Sequence, residues 1–260
     1  MIKAILFDID GTLVSLKSKV YSPSLVPALA VLRQKGLLLF VATGRSRFEI
    51  RSEHLLDGLE FDGYLTNNGQ DAYRADGTLL YGNPLDPADA ENVLLRLEET
   101  GCAAMVVGSD ECILSRVDSR TEIAMEAIHT KLPPLKNPLL LLDKPIYKIT
   151  PFLLPEEMLP IMQLTKHCRM TQWFPFGHDI ISITGGKKNA MLGILARYGL
   201  DPSEAMAFGD SENDIEMLRT AGIGVAMGNA TPEAKAAADY VTADCDDDGI
   251  LRALEHFGLL

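Results

Sequence analysis

An α/β fold, a parallel sheet covered by helices and interrupted by an inserted α+β module, is predicted by three observations. Short apolar runs end abruptly in polar residues at 3–7, 37–42 and 63–66. Segments of helical apolar period separate them, and the same rhythm stops after Asn68 and resumes at Lys187. Continuous apolar strands are buried on both faces, which in a parallel sheet is the work of the crossover helices.

Residues 3–7 read as a buried strand opening into Asp8-Ile9-Asp10-Gly11-Thr12. Ser22-Pro23 starts a helix with Leu25, Leu29 and Leu32 on one face, ended by Gly36. Residues 37–42 form a second strand with Thr43-Gly44-Arg45 at its end; a helix over about 46–55 and a strand at 63–66 complete a βαβαβ unit. Asn67, Asn68 and Gly69 terminate that strand. Residues 71–73 and 78–81 flank Asp76-Gly77, a hairpin signal, and here the chain is expected to leave the first sheet. The middle segment reads as helix 87–100, strands 103–107 and 112–115, helix 119–131, a connection carrying Pro133, Pro134 and Pro138, strand 147–152, helix 155–167, and strands near 170–174 and 180–183. Gly185-Gly186-Lys187 opens a helix to Tyr198, residues 205–208 form a buried strand ending in Gly209-Asp210, and helix, strand 222–226 and two helices follow. The expected division is a discontinuous core, 1–82 with 180–260, and an insertion, 83–179.

Composition narrows the function. A net charge of −12 with pI about 4.8 opposes nucleic-acid phosphates and anionic membranes unless a basic patch intervenes, and the sequence holds none. Cys102, Cys112, Cys168 and Cys245 are widely spaced and read as free thiols. The apolar run before Asp8 is too short for a signal peptide and no later stretch would span a bilayer, so a cytoplasmic location is expected. Oligomeric state has no motif.

Ligand sites in open parallel sheets lie beyond the carboxyl ends of the strands, and the polar clusters fall there. Asp8 and Asp10 follow the first strand, Thr43 the second, Asn67 and Asn68 the third, and Asp210 the strand after the insertion, with Lys187 opening a helix before it. Converging carboxylates repel unless a cation is present, and hard oxygen ligands without supporting His or Cys point to Mg²⁺.

Asp8-Ile9-Asp10-Gly11-Thr12-Leu13, Thr43-Gly44-Arg45, Lys187 and Gly209-Asp210-Ser211-Glu212-Asn213-Asp214 resemble, in order and spacing, the four motifs of haloacid dehalogenase superfamily phosphatases. With the insertion between third strand and lysine, the chain resembles the Cof-type branch, in which a large α/β cap accompanies a Rossmann-like core. The resemblance covers essentially the whole chain, and it implies a Mg²⁺-dependent phosphomonoester hydrolase for a small phosphorylated metabolite, a sugar phosphate being the leading class. It implies Asp8 as nucleophile and Asp10 as general acid and base; Asp8, the Asp10 carbonyl and Asp210 as metal ligands; and Thr43, Gly44, Arg45, Lys187 and Asn213 around phosphate or substrate. Asp214 would position Lys187 or a metal-bound water, and Asn68 would stand at the seam of core and cap. A phosphomutase or other phosphotransferase, and a non-catalytic phosphosugar-binding regulator, remain the alternatives.

Other residues have plainer readings. Asp244 and Asp246 to Asp248 form a solvated loop and an N-cap, His178 is a hinge residue, and Trp173, Phe174 and Phe176 are a packed cluster rather than a sugar platform.

Overall fold

The computed structural model describes residues 1–260 apart from Asp110 and His129. The chain forms two compact units: Met1–Arg45, His54–Tyr81 and Gly186–Leu260 make the first, and Ser46–Glu53 with Gly82–Gly185 make the second.

The first unit is built on an eight-stranded sheet. Its strands are β1 (Ala4–Phe7), β2 (Leu38–Ala42), β3 (Gly63–Thr66), β4 (Asp71–Arg74), β5 (Leu79–Gly82), β11 (Ala205–Gly209), β12 (Ile223–Ala226) and β13 (Tyr240–Val241), in the order β13-β12-β11-β1-β2-β3-β4-β5. From β13 to β3 all pairings are parallel. Every residue of β1 is fully buried, as its unbroken apolar run requires, and Phe7 stacks on Phe208 of the neighbouring strand with ring centroids 5.2 Å apart. Helices α1 (Leu25–Gln34) and α9 (Gly249–His256) pack together, as do α6 (Lys187–Arg197), α7 (Ile215–Thr220) and α8 (Pro232–Ala237). This is the α/β class read from the sequence.

The hairpin departs from expectation by staying in the first sheet. Asn67, Asn68 and Gly69 all adopt left-handed φ, at 53°, 56° and 74°, which reverses the chain tightly enough for β4 to pair antiparallel with β3.

The second unit has an antiparallel sheet in the order β7-β6-β8-β10-β9. Its strands are β6 (Ala104–Gly108), β7 (Cys112–Leu114), β8 (Ile146–Pro151), β9 (Cys168–Phe174) and β10 (Gly177–Ser182). Helices α3 (Pro87–Thr100) and α5 (Pro155–Met162) contribute to one apolar cluster with Val93, Leu97, Met158, Ile149 and Ile180. Helix α4 (Ser119–Ala127) contributes to a second, around Met105, Leu114, Met125 and Phe152, against which Phe48, Trp173, Phe174 and Phe176 pack.

Four expectations change here. The boundary at 179/180 cuts through β10, whose residues are all buried and pair with β9, so the chain leaves this unit after Gly185 instead. His178 lies inside that strand, fully buried, and is no hinge residue. Helix α2 (Arg47–Ser52), expected in the core, groups with the second unit because Phe48 packs into its apolar cluster. Helix 155–167 ends early, at Met162, and the residues before β9 turn instead. The sequence reading of helix 119–131 includes His129, outside the described residues. Among the described residues no helix is long and apolar enough to cross a membrane.

Candidate active site

The polar residues at the carboxyl ends of β1, β2, β3 and β11 meet in the first unit. The chain leaves β1 at Phe7, and a turn closes behind it: Leu13 N–H donates to the Asp8 carbonyl at 3.2 Å and Val14 N–H to that of Ile9 at 2.8 Å. Beside this turn Asp8 and Asp10 take different partners. Asp8 is 4% exposed and accepts from Lys187 Nζ at 2.6 Å. Asp10 is gripped by Arg45, with Nε donating to Oδ2 at 2.7 Å and Nη2 to Oδ1 at 2.8 Å. Such a two-point fork adds geometric specificity to the ion pair.

Gly11 shows why this loop tolerates only glycine. Its φ is +81°, and a Cβ there would overlap the carboxylate of Asp210. The bare backbone therefore lets Asp210 approach the β1 loop, where Thr12 Oγ1 donates to it at 3.4 Å. The Thr231 N–H, donating to the Asp210 carbonyl at 2.8 Å, fixes the loop from the other side.

Lys187 is the first residue of α6, following Gly186. Its ammonium is fully buried and donates to Asp8 and to Asp214, each at 2.6 Å. A cation at a helix N-terminus opposes the helix dipole, and the two carboxylates offset that opposition. Burial works against the charged ammonium, yet Asp214 and Asp8 outweigh it and raise the pKa. Asp214 also accepts from the backbone N–H groups of Asp210 and Ser211, at 3.0 and 3.1 Å, so it braces both Lys187 and the β11 loop. Lys188 instead lies at the surface with Glu216, at 3.3 Å.

The β3 turn completes the arrangement. Asn68 N–H donates to the Thr43 carbonyl at 2.9 Å, Asn67 N–H to that of Arg45 at 3.0 Å, and Asn213 Nδ2 to Asn68 Oδ1 at 2.8 Å. Asn68 thus lies between the loops that carry Thr43 and Asn213 and beside Gly44, where a Cβ would crowd its side chain. Gly69 seats this turn on the backbone entering α6, since a Cβ at Gly69 would overlap the Gly186 carbonyl. Thr43 is buried, its Oγ1 accepting from Arg45 N–H at 3.1 Å.

Asp8, Asp210 and Asp214 each offer an oxygen within 4.8 Å of the others. Asp214 is committed to Lys187 and two backbone donors, which leaves Asp8 and Asp210 as the carboxylates able to hold a divalent cation. Their protonation behaviour fits that use. Burial raises the Asp8 carboxyl well above the ordinary range, against the pull of Lys187 and reinforced by Asp214 and Asp210. Burial, then Asp214, pushes Asp210 up to about 7. The site carries more negative charge than its own lysine neutralises, and hard oxygen donors suit Mg²⁺.

A stability test follows. Between the ordinary carboxylate value of about 4 and about 7, the folded metal-free protein holds more protons here than the unfolded chain. Stability therefore falls as pH rises through that window. The melting temperature of metal-free protein is expected to decline from about pH 4.5 to about pH 7 more steeply than that of Asp210→Asn, and Mg²⁺ is expected to flatten the wild-type slope. Equal slopes in the two proteins would contradict the assignment.

Asn229 escaped the sequence reading. Its Nδ2 donates to the Gly11 carbonyl at 2.7 Å and its Oδ1 accepts from Cys245 N–H at 2.9 Å, tying the loop after β1 to the 244–248 loop. The signal was present, because Asn229 follows β12 by the same strand-end rule. The 244–248 loop is largely as read: Asp244 caps its own turn and Asp246 pairs with Lys17 at 2.9 Å. Asp248, however, gives its carboxylate to Ser22 and Ser24 rather than to the N–H groups of α9.

Residues 5–254 match the haloacid dehalogenase-like hydrolase family. YkrA of Bacillus subtilis strain 168, whose phosphatase name is provisional, is 30% identical over 260 residues, 99% of this chain and 98% of its own. The HMP-PP phosphatase of Serratia proteamaculans strain 568 is 30% identical over 264 residues, covering 96% of this chain and 93% of its own. Among solved structures, the subclass IIB sugar phosphatase BT4131 is 32% identical with a TM-score of 0.83, over 99% of this chain and 100% of that one.

Proposed function

The chain belongs to the haloacid dehalogenase-like hydrolase family, and from that premise we propose that this phosphatase is a Mg²⁺-dependent phosphomonoesterase for a small phosphorylated metabolite of the sugar-phosphate class. The observation that carries the reading is the buried Asp8–Lys187–Asp214 array beside Asp210. Such an array supports the reading because a buried carboxylate beside a fixed cation could serve one phosphoryl group as nucleophile and counter-charge.

Asp8 attacks phosphorus, forming an Oδ–P bond as the ester P–O bond breaks, and Asp10 gives the departing oxygen its proton. A water then attacks phosphorus, Asp10 takes its proton, and the Asp8 carboxylate is released. Asp suits the first role because its carboxylate, once held ionised by Lys187 and a bound cation, attacks without a separate base. Lys187 and the Thr43 hydroxyl, with Asn213, hold the phosphoryl oxygens, and Asp214 keeps Lys187 in place. Arg45 orients Asp10 through its fork. Asp8, Asp210 and the Asp10 carbonyl would hold Mg²⁺, which would supply positive charge to the phosphate and relieve repulsion among the carboxylates.

Sugar phosphates are the favoured class because BT4131, alike over the full chain, is a sugar phosphatase. The test is a screen of phosphorylated metabolites with Mg²⁺, ranked by kcat/KM from released phosphate. Hexose phosphates are expected among the best substrates. Isomer formation without phosphate release would make the protein a mutase, and no turnover of any ester would leave only a binding role.

A further inference from the structure

The apolar face of the second unit's sheet that carries Met105 and Phe152 also holds a buried polar chain which the proposed chemistry does not use. Lys148 on β8 is 2% exposed, and Glu49 and Asp179 are each 4% exposed. The Lys148 ammonium lies 3.8 Å from Glu49 Oε2 and 3.7 Å from Asp179 Oδ2. Asp179 is itself fixed, accepting from Thr150 Oγ1 at 2.7 Å and from Trp173 Nε1 at 3.2 Å. The Trp173 cluster, read as packing, thus also supplies a donor to this network.

At the other end, Glu49 Oε2 accepts from Ser46 N–H at 2.7 Å, while Ser46 Oγ accepts from Glu49 N–H at 3.3 Å. These two bonds form the capping box of α2. One carboxylate oxygen therefore serves both the helix start and the β8 lysine. Ser46 is bonded to Arg45, and the chain passes from the first unit to the second at that peptide. Arg45 in turn grips Asp10.

We infer that Lys148 and Glu49 are positioning residues for Arg45: the network sets the backbone at Ser46, and so the reach of the guanidinium to Asp10. Burying three charges adds little stability over apolar packing, so the consequence of this arrangement is geometric. The contacts run from Lys148 through Glu49 and the capping box to Ser46, the residue bonded to Arg45. The inference rests on the phosphatase reading only for what Asp10 does; the placement of Arg45 can be measured without substrate.

The test is hydrogen exchange at the Arg45 Nε–H, followed by NMR on the full chain and assigned by its loss in Arg45→Lys. In the wild type this proton is donated to Asp10 and is expected to exchange slowly. Glu49→Gln keeps an acceptor for Ser46 N–H and removes the charge, whereas Lys148→Met removes the ammonium. Each is expected to speed exchange about tenfold or more, and the double variant to be no faster than either single change, because both act through one link. Backbone amides of β1 are expected to keep wild-type protection, which separates positioning from general loosening. Unchanged Arg45 exchange in Glu49→Gln, or effects that multiply in the double variant, would overturn the inference. Should Lys148→Met fail to fold, Glu49→Gln and the double variant, which removes opposite charges together, still decide. A wild type with slow Arg45 exchange but no phosphatase activity would refute the function and leave this placement standing.

Discussion

Asp8→Asn is expected to lose turnover by a factor on the order of 10⁴ or more while keeping its fold, because an amide can neither attack phosphorus nor match a carboxylate toward Mg²⁺. The fold is expected to survive for a specific reason. Burial and the neighbouring carboxylates already disfavour charge at Asp8, so a neutral amide of the same shape relieves repulsion, and Lys187 keeps Asp214 as its partner at 2.6 Å. Steady-state kinetics with any accepted ester, alongside a thermal melt, checks both halves. Near-wild-type activity in Asp8→Asn would remove the nucleophile from Asp8.

Lys187→Ala and Lys188→Ala should differ sharply although the residues are adjacent. Lys187 is fully buried between two carboxylates, so its removal is expected to cost about 10²-fold or more in kcat/KM through the lost contact to the transferring phosphoryl group. It also strands buried Asp8 and Asp214 without their cation, a loss expected to reach about 3–5 kcal/mol of stability. Part of that loss is expected to return with Mg²⁺, which supplies positive charge to the same carboxylates. Lys188 pairs at the surface with Glu216, and its alanine variant is expected to stay within about 0.5 kcal/mol of wild type with normal activity. A damaged Lys188→Ala beside a mild Lys187→Ala would reverse this assignment of the two lysines.

What could be read from the sequence follows from where its signals lie. Charged residues stand out directly after a wholly apolar strand, which is why Asp8, Asp10 and Asp210 were legible, and Lys187 was legible because it opens the helix before the strand that ends in Asp210. Pairings across long separations were not. Arg45 and Asp10 lie 35 positions apart, and the sequence set Arg45 beside phosphate or substrate with no protein partner to name. Helix α2 looks the same whichever unit receives it, because Phe48 and Glu49 satisfy an amphipathic pattern in both cases; only their contacts decide. The antiparallel return of β4 was hidden in residues 67–69, where two asparagines in left-handed conformation read as an ordinary turn. Nor did the sequence show that Asp8 would pair with Lys187 and Asp10 with Arg45.

The most direct test is to catch the phosphoryl group on the protein. Asp10→Asn removes the base that activates water, so an ester with a good leaving group should still phosphorylate Asp8 while the second step stalls. Acid quenching followed by peptide mass spectrometry is expected to find one added phosphoryl group on the peptide that contains Asp8, absent from the Asp8→Asn variant. Phosphate release in wild-type protein with no phosphorylated peptide at any quench time in Asp10→Asn, or a phosphoryl group on a residue other than Asp8, would contradict the proposed chemistry.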